Sequence, residues 1–142
     1  MGHSIIVYRE KNVIGADLDL WCLRHFLFRA TEELLRVRVS PELKEIKDYL
    51  ARWDWLGPGV IDGIDLDPVL KDKPELESMF RKTLSKTKDL LREMGSEISI
   101  QYLEENGVNS PSAYFTKPPA TRTLIDVVTK IEGLVPTTIE RT

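Results

Sequence analysis

Cys22 and His25 are the first pair in the chain whose side chains could do chemistry together. They lie three residues apart, which places a thiol and an imidazole on one face of a helix. This spacing suits a metal site or a nucleophile beside its base. The chain has one cysteine, however, and His3 is its one other histidine. We therefore interpret the pair as a core cysteine beside a core or boundary histidine, and we predict no catalytic residue, metal or cofactor.

Three aspartates, Asp62, Asp65 and Asp67, cluster in the glycine-containing segment 57–67. Oxygen ligands on a loop suit calcium or magnesium, which makes a metal-dependent enzyme one alternative function. The spacing does not match an EF-hand loop, which needs a glycine and a distant glutamate at fixed positions. Aspartate is also common in turns and helix caps for local reasons. We therefore interpret the cluster as an acidic surface.

Trp53 and Trp55 flank Asp54 immediately before the Gly-Pro-Gly sequence at 57–59. Taken alone, the pair is best interpreted as a lid over helix ends, because tryptophan is largely buried on average. An exposed tryptophan in a loop is the alternative, and it is a typical anchor for a protein partner. The predicted partner-binding surface consists of Trp53, Trp55, Asp62, Asp65 and Asp67.

Arg24 is the one cation in an otherwise apolar stretch of sequence. If it is buried it needs a partner, because an unpaired buried charge is costly, and a carboxylate of 57–67 would serve. The favoured interpretation is that it marks a narrow solvent-facing line with Asp17, Thr31 and Arg38.

The segment 73–94 carries a basic face that includes Arg81, Lys82 and Lys86. Such a face suggests a nucleic-acid-associated regulator as a further alternative function. Acidic residues interrupt the face, which favours a solvated surface instead. These acidic residues are Glu75, Glu77, Asp89 and Glu93. The sequence motifs of nucleotide-binding loops, serine hydrolases and zinc proteases are absent.

A long helix over 17–38 is predicted to organise the fold. The segment contains no proline or glycine, and its apolar residues recur every three or four positions. Its first half is apolar on most faces, so it should be buried, whereas its second half should reach the surface. Asp17 is the predicted N-cap. The main stripe consists of Leu20, Leu23, Leu27, Ala30, Leu34 and Val37.

Three further helices are predicted from start and stop signals. Ser40 and Pro41 begin the second, which forms an antiparallel hairpin with the first and runs to Trp53–Leu56. Asp67–Leu70 can form a short turn. Asp72 resembles the N-cap of the third helix, which Gly95 should end. The last helix spans 121–132, and Gly133 should end it.

Two short segments have strand-like composition. Residues 4–8 are β-branched and predict a strand followed by a turn at 10–12. Residues 97–103 fit either a strand, which would pair with 4–8, or a short helix, and we favour the helix. The fold class is therefore mainly α, a four- to five-helix bundle around a long central helix, with room for two short strands.

Length and composition indicate one domain. The chain has 142 residues, a net charge of −3 and 42% hydrophobic residues. We predict a helical domain over 1–133 and a loose tail over 134–142. Without a signal peptide, a membrane span or a disulfide, the expected location is the cytoplasm of a bacterial-type cell. The predicted function is a non-enzymatic protein–protein interaction, immunity- or adaptor-like, with a protein partner or a second copy and without membrane or nucleic acid.

Overall fold

The computed structural model describes residues 3–52, 64–109 and 115–135, and the side chains of His3, Ser4 and Asp17 lie outside this description. The described part is mainly helical, with six helices and one three-stranded sheet, which confirms the predicted fold class. One of the six helices, over Asp67–Leu70, is the short segment that the sequence predicted as a turn. The strands are β1 (His3–Tyr8), β2 (Lys11–Ala16) and β3 (Ile64–Asp65). The helices are α1 (Asp17–Val37), α2 (Pro41–Ala51), α3 (Asp67–Leu70), α4 (Pro74–Glu93), α5 (Ile100–Glu105) and α6 (Thr121–Leu134).

Helix α1 is the centre of the core, as predicted. Leu23, Phe26 and Leu27 are completely buried, and α1 packs against α2, α4 and α6. Its C-terminal end reaches the surface, where Val37 is 86% exposed. The prediction of Asp17 as the N-cap is wrong, because Ala16 occupies the cap position and Asp17 is the first residue of the helix.

The hairpin of α1 and α2 forms where the sequence predicts it. Ser40 is the N-cap of α2, and its Oγ accepts a hydrogen bond from the Leu43 amide at 3.2 Å. Pro41 is the first residue of the helix, where its missing N–H costs nothing. Leu43, Ile46 and Leu50 point into the core. The predicted end of this helix, over 53–56, lies outside the described residues.

The strand predicted over 4–8 is confirmed, but the sequence missed its main partner. β1 pairs with β2 as an antiparallel hairpin, and β3 pairs with β1 in parallel, which gives the order β2-β1-β3. Arg9 and Glu10 form the two-residue turn with φ values of 49° and 69°. Both residues have positive φ, as in a type I′ turn, which favours Asn-Gly and disfavours Arg-Glu. The turn therefore carried no recognisable signal, and strand β2 begins at Lys11 inside the predicted turn.

The strand alternative for 97–103 is wrong, and the favoured helix is confirmed. Ser99 is the N-cap of α5, and its Oγ accepts from the Tyr102 amide at 3.1 Å. Glu97 forms an isolated antiparallel bridge with Ala120, and it pairs with none of the three described strands.

Two predicted helix boundaries need correction. Asp72 does not cap α4; it has a φ of 60°, and Lys73 occupies the cap position. Gly133 does not end α6, which continues to Leu134, and both Leu134 and Val135 are buried. Gly95, by contrast, has a φ of 87° just beyond α4 and ends that helix as predicted. Residues 136–142 lie outside the description, so their looseness stays a prediction.

Candidate functional site

The predicted surface over 53–67 is only partly described. Trp53, Trp55 and Asp62 lie outside the described residues. Asp65 accepts a hydrogen bond from the Asp67 amide through its Oδ1 at 3.0 Å, and Asp67 accepts from the Arg9 amide at 2.8 Å. Both carboxylates therefore accept hydrogen bonds from backbone amides, Asp65 within its own turn and Asp67 from the β1–β2 turn.

The surroundings of Cys22 and His25 shift the pKa values of both side chains so that both are neutral at neutral pH. The Cys22 side chain is fully buried, and burial raises the pKa of its thiol to about 12. Burial, followed by the charges of Arg29 and Arg24, lowers the pKa of His25 to about 4. The Nε2 atom of His25 lies 2.9 Å from the hydroxyl of Tyr102. At neutral pH the thiol keeps its proton and the imidazole is neutral, so the pair is not poised as a thiolate and imidazolium.

Arg24 does not lie on a solvent-facing line, because Thr31, a predicted member of that line, is completely buried. The Nε of Arg24 donates to the Leu50 carbonyl at 3.1 Å. The guanidinium carbon lies 5.7 Å from the ring centroids of both Trp21 and Phe28. This flat cation therefore packs between two aromatic rings and joins α1 to the end of α2.

A buried polar cluster anchors the β1–β2 turn to α4. The Tyr8 hydroxyl donates to Oε2 of Glu77, and the two residues are 0% and 4% exposed. The Nε of Arg9 lies 3.9 Å from the same carboxylate oxygen, and its Nη2 lies 3.6 Å from Oδ1 of Asp72. The sequence placed Glu77 on the solvated face of the third helix, which is wrong. Since solvent hardly reaches the carboxylate, the cluster positions the turn rather than offering a binding surface.

The described surface includes an open groove between β2 and the end of α6. It has a volume of about 700 Å³. We call it the strand-edge groove. It is lined by Lys11, Asn12, Val13, Ile14, Lys130, Gly133 and Leu134.

The hairpin register determines which backbone groups of β2 point towards this groove. Tyr8 pairs with Lys11 across the two-residue turn, so that pair exchanges its hydrogen bonds within the hairpin. Antiparallel pairs alternate between hydrogen-bonded and non-hydrogen-bonded, which leaves the N–H and C=O groups of Asn12 and Ile14 directed outward. Within the described ranges, β2 is an outer strand of the sheet, and no strand pairs with this edge.

The two faces of β2 differ in chemistry. Ile14 lies opposite Ile5 on the outer face, and the two residues are 57% and 39% exposed. Lys11 and Val13 belong to the other face, which is turned towards α6. There Gly133 leaves the groove open, since a Cβ placed on it would meet nothing within 4 Å.

The charge of the groove is positive. Lys11 and Lys130 line it, and no acidic residue does. Within the described ranges neither lysine has a carboxylate within 4.0 Å. Glu132, the acidic neighbour of Gly133, is paired with Lys88 at 2.6 Å. Glu10 is exposed in the turn next to Lys11, but it does not line the groove.

Sequence reasoning missed the groove entirely. Its one local signal is the β-branched pair Val13 and Ile14, and Gly15 beside the pair is typical of a break before a helix. Lys130 and Gly133 gave no signal at all, because the chain separates them from β2 by more than a hundred residues.

Comparison of the chain with models of protein families, with curated proteins and with solved structures finds no match. Among the described helices, none combines the length and the apolar run needed to cross a bilayer. Nor do three or more metal-binding side chains come together within the described ranges.

Proposed function

We propose that this chain is a non-enzymatic interaction protein that binds an extended segment of a partner protein along β2. The observation that carries the proposal is the edge of β2 with which no described strand pairs, together with the exposed Ile14 beside the strand-edge groove. A strand added to such an edge gains main-chain hydrogen bonds for affinity and side-chain contacts for specificity.

The edge has little of the protection that sheets use against unwanted pairing. Charges, prolines and bulges are the common devices. β2 contains no proline, and its one charge, Lys11, stands at the first residue. Its register with β1 is continuous from His3 to Tyr8, so no bulge interrupts it. Asn12 and Ile14 are therefore accessible to an incoming strand.

Binding is a better interpretation than catalysis for the described titratable groups. Cys22 is buried with a raised thiol pKa, and the Glu77 carboxylate is held inside by Tyr8. Asp65 and Asp67 accept hydrogen bonds from backbone amides. The metal-enzyme alternative would need Asp62 and its neighbours, and no observation on the described residues favours it.

The nucleic-acid alternative is also less well supported, since ion pairs occupy part of the basic face of α4. Lys86 lies 3.9 Å from Glu33, and Lys88 lies 2.6 Å from Glu132. The partner-binding surface predicted around Trp53 and Trp55 lies outside the described residues and stays a prediction.

A display library of extended seven-residue peptides, selected against the full chain, tests the proposal. We expect binders that slow amide hydrogen exchange at Asn12 and Ile14, whose N–H groups point outward, with little change at Val13. Ile14→Asp should abolish this binding. Val39→Asp is the matched control, because Val39 is equally apolar and 72% exposed at a different place.

Two outcomes would contradict the proposal. One is a library that yields no binder at millimolar concentration. The other is a binder that protects amides outside β2 and tolerates Ile14→Asp as well as Val39→Asp.

A further inference from the structure

We infer that the segment bound in the strand-edge groove is an acidic peptide in which carboxylate side chains alternate with apolar ones. The inference rests on the proposed function and adds the chemistry of the partner. It follows from the different character of the two faces of β2 and from the charge of the groove.

An added strand has the same two-residue alternation as β2 itself. Side chains on its outer face would lie beside Ile14, which is 57% exposed and apolar. Side chains on its other face would lie beside Lys11 and point towards α6, where Lys130 lines the groove. The first set should therefore be apolar, with β-branched residues favoured in a strand. The second set should carry the carboxylates.

The α6 side of the groove has room for these carboxylates. Gly133 lies between Lys130 and Leu134 in the lining, and it contributes no side chain. Within the described ranges, neither Lys11 nor Lys130 has a carboxylate partner, so both ammonium groups are available. Leu134, which is buried, also lines the groove and adds apolar surface to it.

A second copy of this chain fits the groove less well than an acidic peptide does. Strand β2 contains one lysine and no acidic residue, so a second copy of β2 would supply no carboxylate for Lys11 or Lys130. Two copies would place Lys11 and Lys130 from both chains around one new interface.

Three peptides of equal length test the inference. Each has valine at alternate positions, with glutamate, glutamine or lysine between the valines. Their dissociation constants for the full chain are measured by isothermal titration calorimetry at low and high salt. The glutamate peptide should bind about 2- to 30-fold more tightly than the glutamine peptide, as expected for two exposed ion pairs. The lysine peptide should bind weakest, and the differences should shrink as salt screens the charges.

Removal of the two lysine charges from the protein provides an experiment that complements the peptide series. Lys11→Gln and Lys130→Gln should each weaken binding of the glutamate peptide and leave the glutamine peptide unchanged. Lys44→Gln is the control, since Lys44 is exposed on α2 and does not line the groove. Amide exchange at Asn12 and Ile14 reports whether each peptide occupies the edge.

The possible failures are distinguishable. If the glutamine peptide binds as tightly as the glutamate peptide and protects Asn12 and Ile14, the acidic preference is wrong and strand addition stands. If none of the three protects these amides, whatever else they bind, both proposals fail. Concentration-dependent dimerisation that Ile14→Asp abolishes, measured by light scattering, would make a second copy the occupant and overturn the acidic partner.

Discussion

Tyr8 and Glu77 are joined by a hydrogen bond between a hydroxyl and a carboxylate oxygen, although 69 residues separate them in the chain. Neither is more than 4% exposed, so this contact lies inside the protein. It ties the hairpin turn, and with it the orientation of β2, to the first turns of α4. The groove at the edge of β2 therefore rests on a polar contact in the core.

Removal of the Tyr8 hydroxyl should destabilise the protein clearly. Tyr8→Phe keeps the ring but leaves the buried Glu77 carboxylate without its hydroxyl donor, which should lower the free energy of unfolding by about 1–3 kcal/mol. Urea denaturation measures the loss. Tyr49→Phe is the matched control, since its hydroxyl donates to the Asp65 carbonyl at an exposed site and should matter less. An equal decrease in the free energy of unfolding in both variants would show that the buried hydrogen bond of Tyr8 contributes no more to stability than the exposed one of Tyr49.

Replacement by alanine should change the free energy of unfolding in opposite directions at two glycines that both have free space for a Cβ. A Cβ on Gly133 or on Gly95 meets nothing within 4 Å, so neither substitution creates a clash. Gly133 lies in α6, where alanine should raise the free energy of unfolding by about 0.5–1 kcal/mol. Gly95 has a φ of 87°, which strains any residue with a side chain, so Gly95→Ala should lower stability. Urea denaturation measures both, and stabilisation by Gly95→Ala would contradict the backbone conformation described.

His25 should give the protein a pH dependence with a definite sign. Burial lowers the pKa of its imidazole from 6.5 to about 4, so unfolding takes up a proton below pH 6.5. The stability that this residue contributes is complete above pH 6.5 and is lost as the pH falls towards 4. Urea denaturation of the parent and of His25→Gln over this window should show the smaller acid loss in the variant.

Direct titration by NMR provides the control for His25. Its imidazole should titrate well below 6.5, and a His3→Gln background removes the signal of the other histidine. A pKa near 6.5 for His25 would show that the imidazole is solvated rather than held beside Tyr102, Arg24 and Arg29.

Cys22 should resist alkylation in the folded protein. Its thiol is completely buried, and burial raises its pKa to about 12, so access and thiolate content are both low at pH 8. Iodoacetamide labelling followed by mass spectrometry should show slow modification in buffer and rapid modification in urea. Fast labelling without denaturant would mean that the N-terminal half of α1 opens readily.

The helices could be predicted because their signals are local. A Ser-Pro start at residue 40, a left-handed glycine at Gly95 and the three- and four-residue spacing of leucines act within a few turns of chain. The prediction failed where a local signal had two structural meanings. Gly133 resembled a helix stop, yet it lies one residue inside α6, where the burial of Leu134 and Val135 keeps the chain packed on the core.

The candidate site could not be predicted in the same way. The sequence predicted a binding surface of tryptophan and aspartate side chains over 53–67. Of these, Asp65 and Asp67 accept hydrogen bonds from backbone amides. The residues that line the strand-edge groove belong to no recognisable motif. The binding property proposed for the groove comes from a backbone edge with which no described strand pairs. Whether an edge is unpaired depends on every other strand of the sheet, which no single segment encodes.

The sequence by itself determined the mainly α fold, the buried course of α1 and the hairpin that α1 forms with α2. Periodic burial and helix capping depend on neighbours within about four residues, so they can be recognised in the chain. Only the tertiary structure decided that β1 has β3 on one side and β2 on the other, that Glu77 lies beneath Tyr8, and that α6 faces β2. These contacts join distant segments, and they are selected by the fit of whole surfaces rather than by the spacing of residues.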